Sequence, residues 1–147
     1  MPFEKSFLFG LAGLIMLGTA PAMANDAQAQ ADKSIALELN NAQPSGEACR
    51  LSFLIRNDLG TPLADMGIEI VILDDKGLAQ DLMVLSTGAL SDGKRRLRQF
   101  DLPNVDCSAL GEILINDVSD CQAVGMTAPA CLAALRPSSK IAIKLGL

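Results

Sequence analysis

Hydrophobic residues occupy every second position in several short stretches of the chain. Successive side chains of a β-strand point to opposite faces of a sheet, so a period of two indicates a strand with one buried face. Ile35, Leu37 and Leu39 form the first such stretch, separated by Ala36 and Glu38. The same pattern predicts six further strands, near residues 49–56, 68–73, 78–86, 95–102, 112–116 and 140–145.

Turn-forming residues separate these stretches and indicate an all-β fold. Gly, Pro, Asp and Ser cluster at positions 44–46, 74–77 and 91–93. One short helix is predicted from Thr127 to Leu135, with Pro129 in its first turn and Pro137 just beyond its end. About seven strands with one helix predict an immunoglobulin-like antiparallel β-sandwich. A small Greek-key barrel is the alternative.

Residues 1–24 have the pattern of a secretory signal peptide. Charged residues occur only at Glu4 and Lys5, and the apolar stretch from Phe7 to Gly18 is shorter than the roughly 20 residues that a membrane-spanning helix needs. The small residues at positions 22 and 24 predict cleavage before Asn25. An uncleaved membrane tether is the alternative.

The remaining chain predicts an exported protein with one folded domain. Residues 25–33 are polar, without apolar periodicity, and predict a flexible arm. Residues 34–147 have the length of a single domain. We therefore expect a periplasmic or extracellular protein that has no stable membrane span after cleavage.

The cysteines of the chain all follow the predicted cleavage site. They are Cys49, Cys107, Cys121 and Cys131. An even number of cysteines in an exported domain indicates disulfides, and three pairings are open. The short separation favours Cys121 with Cys131, which leaves Cys49 with Cys107 as the long-range bridge. Zinc is the alternative, but the chain has no C-x-x-C motif and no histidine.

The composition argues against several classes of function. Without histidine, Ser-His-Asp and Cys-His catalysis and histidine-based metal sites are excluded. The absence of Tyr and Trp and the net charge of −5 argue against nucleic-acid partners. We expect a monomer that is not an enzyme and holds no cofactor or metal. A metal-dependent enzyme is a remote alternative. Asp74 with Asp75, or Asp117 with Asp120, could ligate calcium, although aspartates in turns commonly bind the local backbone.

The middle of the chain, residues 51–102, combines strands and turns in a recognisable order. A turn with Asn57 ends one strand, Pro62 lies in the next loop, and an aliphatic strand runs into Asp74 and Gly77, before a later strand that carries Phe100. This order resembles FxLYD-type domains, small immunoglobulin-like modules of exported bacterial and archaeal proteins. The resemblance implies an immunoglobulin-like fold, an exported setting and no catalytic residue.

One strongly basic segment stands out in this acidic protein. Its basic residues are Lys94, Arg95, Arg96 and Arg98. We predict that they contact an acidic protein partner or an anionic component of the cell envelope. The alternative is an edge strand that uses charge to prevent aggregation, in a structural or stress-related envelope protein without a ligand site. Burial of Leu97 together with Phe100 and Leu102 would need a β-bulge near Gln99.

Overall fold

Two four-stranded β-sheets form the fold in the computed structural model, which describes residues 32–147. The strands are β1 (Ser34–Ser45), β2 (Ala48–Asp58), β3 (Leu63–Asp74), β4 (Ala79–Ser86), β5 (Arg95–Pro103), β6 (Leu110–Ala123), β7 (Leu135–Ser139) and β8 (Lys144–Gly146). A 3-10 turn (Cys107–Ala109) precedes β6, and helix α1 (Ala128–Ala134) follows it. The predicted signal peptide, residues 1–24, and residues 25–31 of the predicted arm lie outside the described residues.

The strand order is β5-β2-β1-β7 in the first sheet and β4-β3-β6-β8 in the second. The prediction of an all-β sandwich with one short helix is confirmed, with eight strands rather than about seven. Most neighbouring strands are antiparallel, but β1 pairs with β7 and β6 with β8 in parallel. Parallel neighbours need a crossover connection, and α1 lies in the segment that joins β6 to β7.

The alternating residues of the first three strands fill the space between the sheets. Each is at most 2% exposed: Ile35, Leu37, Leu39, Leu51, Phe53, Ile55, Ile68, Ile70 and Ile72. Phe53 is the largest of them, and its ring packs edge-to-face with Phe100 at a centroid distance of 6.0 Å. The sequence period therefore identifies the core face of these strands correctly.

The carboxyl-terminal strand differs from the prediction. Instead of one strand over residues 140–145, the structure has β7 before this region and the short β8 at its end. Pro137 was predicted to end the helix just before it. In the structure it lies inside β7. Proline lacks an N–H group but is tolerated on an edge strand, and β7 is the edge of its sheet. The Ser139 hydroxyl then donates to the carbonyl of Ile143 at 2.6 Å and so stabilises the bend between the strands.

Two disulfides join β-strands to segments that lie outside the sheets. Cys49 of β2 binds Cys107 in the 3-10 turn, and Cys121 of β6 binds Cys131 of α1. This is the pairing that the sequence separations favour. Two bridges in one small domain indicate an oxidising compartment. In residues 32–147, no helix is long and apolar enough to span a membrane.

Candidate functional site

The predicted basic segment lies at the start of β5, an edge strand of the first sheet. In the register with β2, Arg96 is opposite Ile55 and Arg98 is opposite Phe53, both buried residues. Arg96 and Arg98 therefore lie on the side of the sheet that faces the second sheet, whereas Arg95 lies on the outer face. The four predicted contact residues do not form one patch, because the strand's alternation divides them between two faces.

The register of β5 is regular, so the bulge expected near Gln99 is absent from this strand. Leu97 lies on the outer face opposite Leu54 and is 50% exposed. Leu102, on the inner face, is fully buried. The expectation that Leu97 joins the core is therefore wrong. Without a bulge, the side chains of β5 alternate regularly between the two faces, and Leu97 lies on the face toward solvent.

Arg98 makes contacts within the fold. Its Nε donates a hydrogen bond to the carbonyl of Thr87, in the loop between β4 and β5. The guanidinium also lies against Gly88, where a Cβ atom would be 1.6 Å from Nη2. Gly88 has a φ of +63°, which glycine adopts at little cost. Arg98 therefore joins the two sheets at this side of the sandwich and is not available as a free contact residue.

Asp65 of β3 completes the contacts around Arg98. Its Oδ1 accepts hydrogen bonds from the Ser86 hydroxyl and from the Gly88 and Met66 N–H groups, each at 2.8 Å. Partial burial raises the pKa of Asp65, but these hydrogen bonds and the charge of Arg98 outweigh it and place the pKa below its ordinary value. The carboxylate is therefore ionised and holds the end of β4 against β3.

Arg96 borders an open groove of about 660 Å³ at one end of the sandwich. The groove is lined by residues 62–64 at the start of β3, residues 89–91 of the loop before β5, and residues 121–124 at the end of β6. These segments supply mostly apolar atoms, and Val124 at the groove is 86% exposed. Sequence reasoning missed this groove, because its walls come from three segments that are far apart in the chain.

Asn57 holds the floor of the groove in place. This residue is fully buried, and its Nδ2 donates to the carbonyls of Leu90 at 3.0 Å and Thr61 at 2.9 Å. Its Oδ1 accepts from the N–H of Leu59 at 3.0 Å. Leu90 in turn exchanges two backbone hydrogen bonds with Leu63. One asparagine thus fixes the loop between β2 and β3 against the loop that precedes β5.

Arg96 at the groove is exposed and has no ion-pair partner among residues 32–147, and the same holds for its chain neighbours Lys94 and Arg95. By contrast, Arg50 binds Asp101 and Arg56 binds Asp58, each at 2.7 Å. The protein is acidic overall, with a net charge of −5. This end of the sandwich therefore combines an apolar groove with local positive charge.

Two of the aspartates considered as calcium ligands, Asp74 and Asp117, bind the local backbone. The Oδ1 of Asp74 accepts hydrogen bonds from the N–H groups of Lys76 and Leu78, both at 2.9 Å, and so closes the turn between β3 and β4. Asp117 accepts from the N–H of Val118. In the described part of the chain, no three Asp, Glu, Cys or His residues are grouped so that they could hold a metal ion.

Comparisons with known proteins bear on the fold alone. No family model and no curated protein matches the sequence. The sandwich is similar to IrmA from Escherichia coli. The TM-score is 0.58 with 15% identity over 71% of this chain and 91% of IrmA. This likeness supports the β-sandwich, and the resemblance to FxLYD-type domains stays a prediction.

Proposed function

We propose that this protein is an exported, non-enzymatic binding module that holds an acidic and aliphatic segment of a partner protein in the groove beside Arg96. The observation that carries the proposal is the combination of an apolar groove with an exposed arginine at its border, Arg96, that lacks an ion-pair partner in the described chain. A structural or stress-related protein without a ligand site is the alternative.

The dimensions and lining of the groove support a ligand of this kind. Binding sites in proteins commonly enclose about 300–1,000 Å³ and are mostly apolar, with a few polar groups that orient the ligand. The volume of about 660 Å³ lies in this range. Aliphatic side chains would contact Leu63, Leu90 and Val124, while a carboxylate would bind the Arg96 guanidinium in a bidentate manner.

Charge favours an acidic partner over a basic one. Arg96 at the groove, with Lys94 and Arg95 beside it in the chain, raises the local positive potential, although the protein has a net charge of −5. Complementary charge raises association rates and rejects partners of the wrong sign. The two disulfides and the predicted signal peptide support an exported setting, since disulfides persist in oxidising compartments.

Peptide binding to the mature protein tests the proposal. The probe is a short peptide that alternates glutamate with leucine, and the comparison peptides replace leucine with serine or glutamate with lysine. We expect only the first to shift the NMR signals of residues 62–64, 89–91 and 121–124. Arg96→Glu should weaken its binding by about tenfold or more, while Lys144→Glu, an exposed cation on β8, changes it less than twofold.

Two results would refute the binding proposal. One is the absence of shifts at the groove with the glutamate-leucine peptide at millimolar concentration. The other is equal loss of binding for Arg96→Glu and Lys144→Glu, which would indicate an unspecific charge effect. Either result favours the structural alternative. Thermal unfolding of both variants checks that neither has lost the fold.

A further inference from the structure

The four edge strands of the sandwich differ in how they are protected from pairing. Edge strands expose free backbone groups, and natural proteins protect them with charges, proline or short length. β5 carries Arg95, Arg96 and Arg98, β7 contains Pro137, and β8 has three residues. β4, the remaining edge, has eight residues and one charged side chain, Asp81.

The backbone of β4 presents hydrogen-bonding groups to the solvent. Thr87 donates its N–H to the carbonyl of Met66 in β3, and Met83 lies opposite Ile70 in the same ladder. Groups that face the neighbouring strand alternate along an antiparallel strand, so the N–H and C=O groups of Leu82 and Val84 point away from β3. The Leu82 N–H donates a hydrogen bond to Oδ1 of the preceding residue, Asp81, at 2.8 Å. A β-bulge disturbs β4 only at its amino-terminal end, beyond Asp81.

The side chains beside this free edge are apolar. Leu82 is 54% exposed and Val84 is 53% exposed, on the outer face of the second sheet. Leu82 lies opposite Val71 of β3, which lies opposite Leu114 of β6, so an apolar row crosses three strands. Such a row offers a surface on which the side chains of an added strand could pack.

Acidic residues border the apolar row. Val84 lies opposite Glu69 of β3, and Glu69 lies opposite Asp117 of β6. Neither carboxylate has an ion-pair partner among the described residues. A partner strand at this edge therefore meets negative charge, which favours lysine or arginine beside its aliphatic residues. A second copy of β4 has no basic residue, so it would not supply the cation that this charge favours.

We propose that β4 is a docking site for a different protein, which adds an extended segment to the second sheet and carries aliphatic and basic residues in turn at every second position, all on the outer face. Main-chain hydrogen bonds to Leu82 and Val84 hold the added strand, and the Leu82 N–H exchanges its bond to Asp81 for one of them. On the outer face, an aliphatic side chain packs on Leu82, and a basic side chain beside Val84 extends toward Glu69. In strand addition of this kind, the backbone supplies affinity and the alternate side chains supply specificity. The site is separate from the groove beside Arg96 and has the opposite charge preference.

Hydrogen exchange and NMR titration of the mature protein test this proposal. The probe is a short peptide with valine and lysine in turn at every second position and serine between them, and the comparison peptide has glutamate in place of lysine. We expect the lysine-valine peptide to slow exchange of the Leu82 and Val84 amides by about tenfold or more. The glutamate-valine peptide should protect neither amide.

Matched variants separate strand addition from other contacts. Val84→Lys places a cation at the site and should weaken binding of the lysine-valine peptide by about tenfold. The control is Leu97→Lys, which makes the same kind of change on the outer face of edge strand β5 and should leave binding unchanged. Val84→Pro removes an outward N–H that the ladder with β3 does not use, and it should also abolish protection of Leu82.

Three results would overturn the proposal. The first is that saturating lysine-valine peptide does not slow hydrogen exchange of the Leu82 and Val84 amides. The second is equal protection by the glutamate-valine peptide, which removes the role of Glu69. The third is protection of both amides that depends on protein concentration without any peptide, which would make a second copy the occupant. Val84→Lys tests the site even if Val84→Pro fails to fold.

Discussion

Replacement of Asn57 by alanine tests how the loops around the groove are held. The side chain is fully buried and makes three hydrogen bonds to loop backbone. Alanine removes all three and deprives the carbonyls of Thr61 and Leu90 and the N–H of Leu59 of this partner. Each such hydrogen bond contributes about 1 kcal/mol net, and a buried group left without a partner costs about 1–3 kcal/mol. We expect the free energy of unfolding to fall by about 3 kcal/mol.

The magnitude follows from the surroundings of the three backbone groups. Leu59 is buried, so water does not readily replace the partner of its N–H, whereas Thr61 is half-buried and regains hydration, and the Leu90 carbonyl keeps its bond to the Leu63 N–H. A domain of this size is usually stable by about 5–15 kcal/mol, so the variant should still fold. The groove should loosen as well, because Leu90 is tied to Leu63 and to Asn57.

Equilibrium urea denaturation followed by circular dichroism measures the effect, with the m-value as a check that both proteins unfold in one step. The control is Asn41→Ala, since Asn41 is exposed and its Nδ2 contacts only the exposed Gln43 side chain. We expect the control to change stability by less than about 0.5 kcal/mol. Equal losses for the two variants would refute the role assigned to Asn57.

Three further predictions concern contacts that hold the strands to one another and to the connecting segments. Arg98→Ala should lower the free energy of unfolding by about 1–2 kcal/mol through the lost bond to the loop, while Arg95→Ala, on the outer face, should be nearly neutral in the same assay. Because folding lowers the pKa of Asp65 from 3.8, its stabilising effect is present above that value and is lost as the pH falls through the lower folded value. Asp65→Asn should therefore lose less stability than the natural protein between about pH 5 and pH 2, measured by denaturation at each pH. Replacing Cys49 and Cys107 by serine should cost about 4 kcal/mol in the chain-entropy model, and an unchanged midpoint would contradict it.

The strands and core were largely predictable because one physical signal determines both. A sheet with one buried face requires alternation, and Ile68, Ile70 and Ile72 show this alternation in the sequence and lie in the core. The cysteine pairing was also predictable, from separation alone. β7 was not, because Pro137 is a stop signal in any strand except an edge strand, and the sequence does not tell which strand is the edge.

The candidate sites were harder to predict, because they depend on contacts between distant segments. Asn57 has the ordinary sequence context of a turn, and only the fold brings Leu90, 33 residues away, within hydrogen-bond distance. The residues of β4 from Leu82 to Leu85 are all apolar, so no alternation tells which of them face solvent. The basic segment was visible in the sequence, but its division between two faces depends on the register with β2.

The two proposed surfaces share one set of contacts, and this decides which variants test them cleanly. Arg98 links β5 to the loop after β4, and Asp65 holds Ser86, the last residue of β4. Charge reversal of Arg98 would therefore disturb both the groove, which Arg96 borders on the same strand, and the edge of β4. A loss of binding in that variant would report a damaged fold rather than a lost contact. Arg96 for the groove and Val84 for the edge are the informative positions, because both side chains are exposed and neither has an ion pair or side-chain hydrogen bond within the described chain.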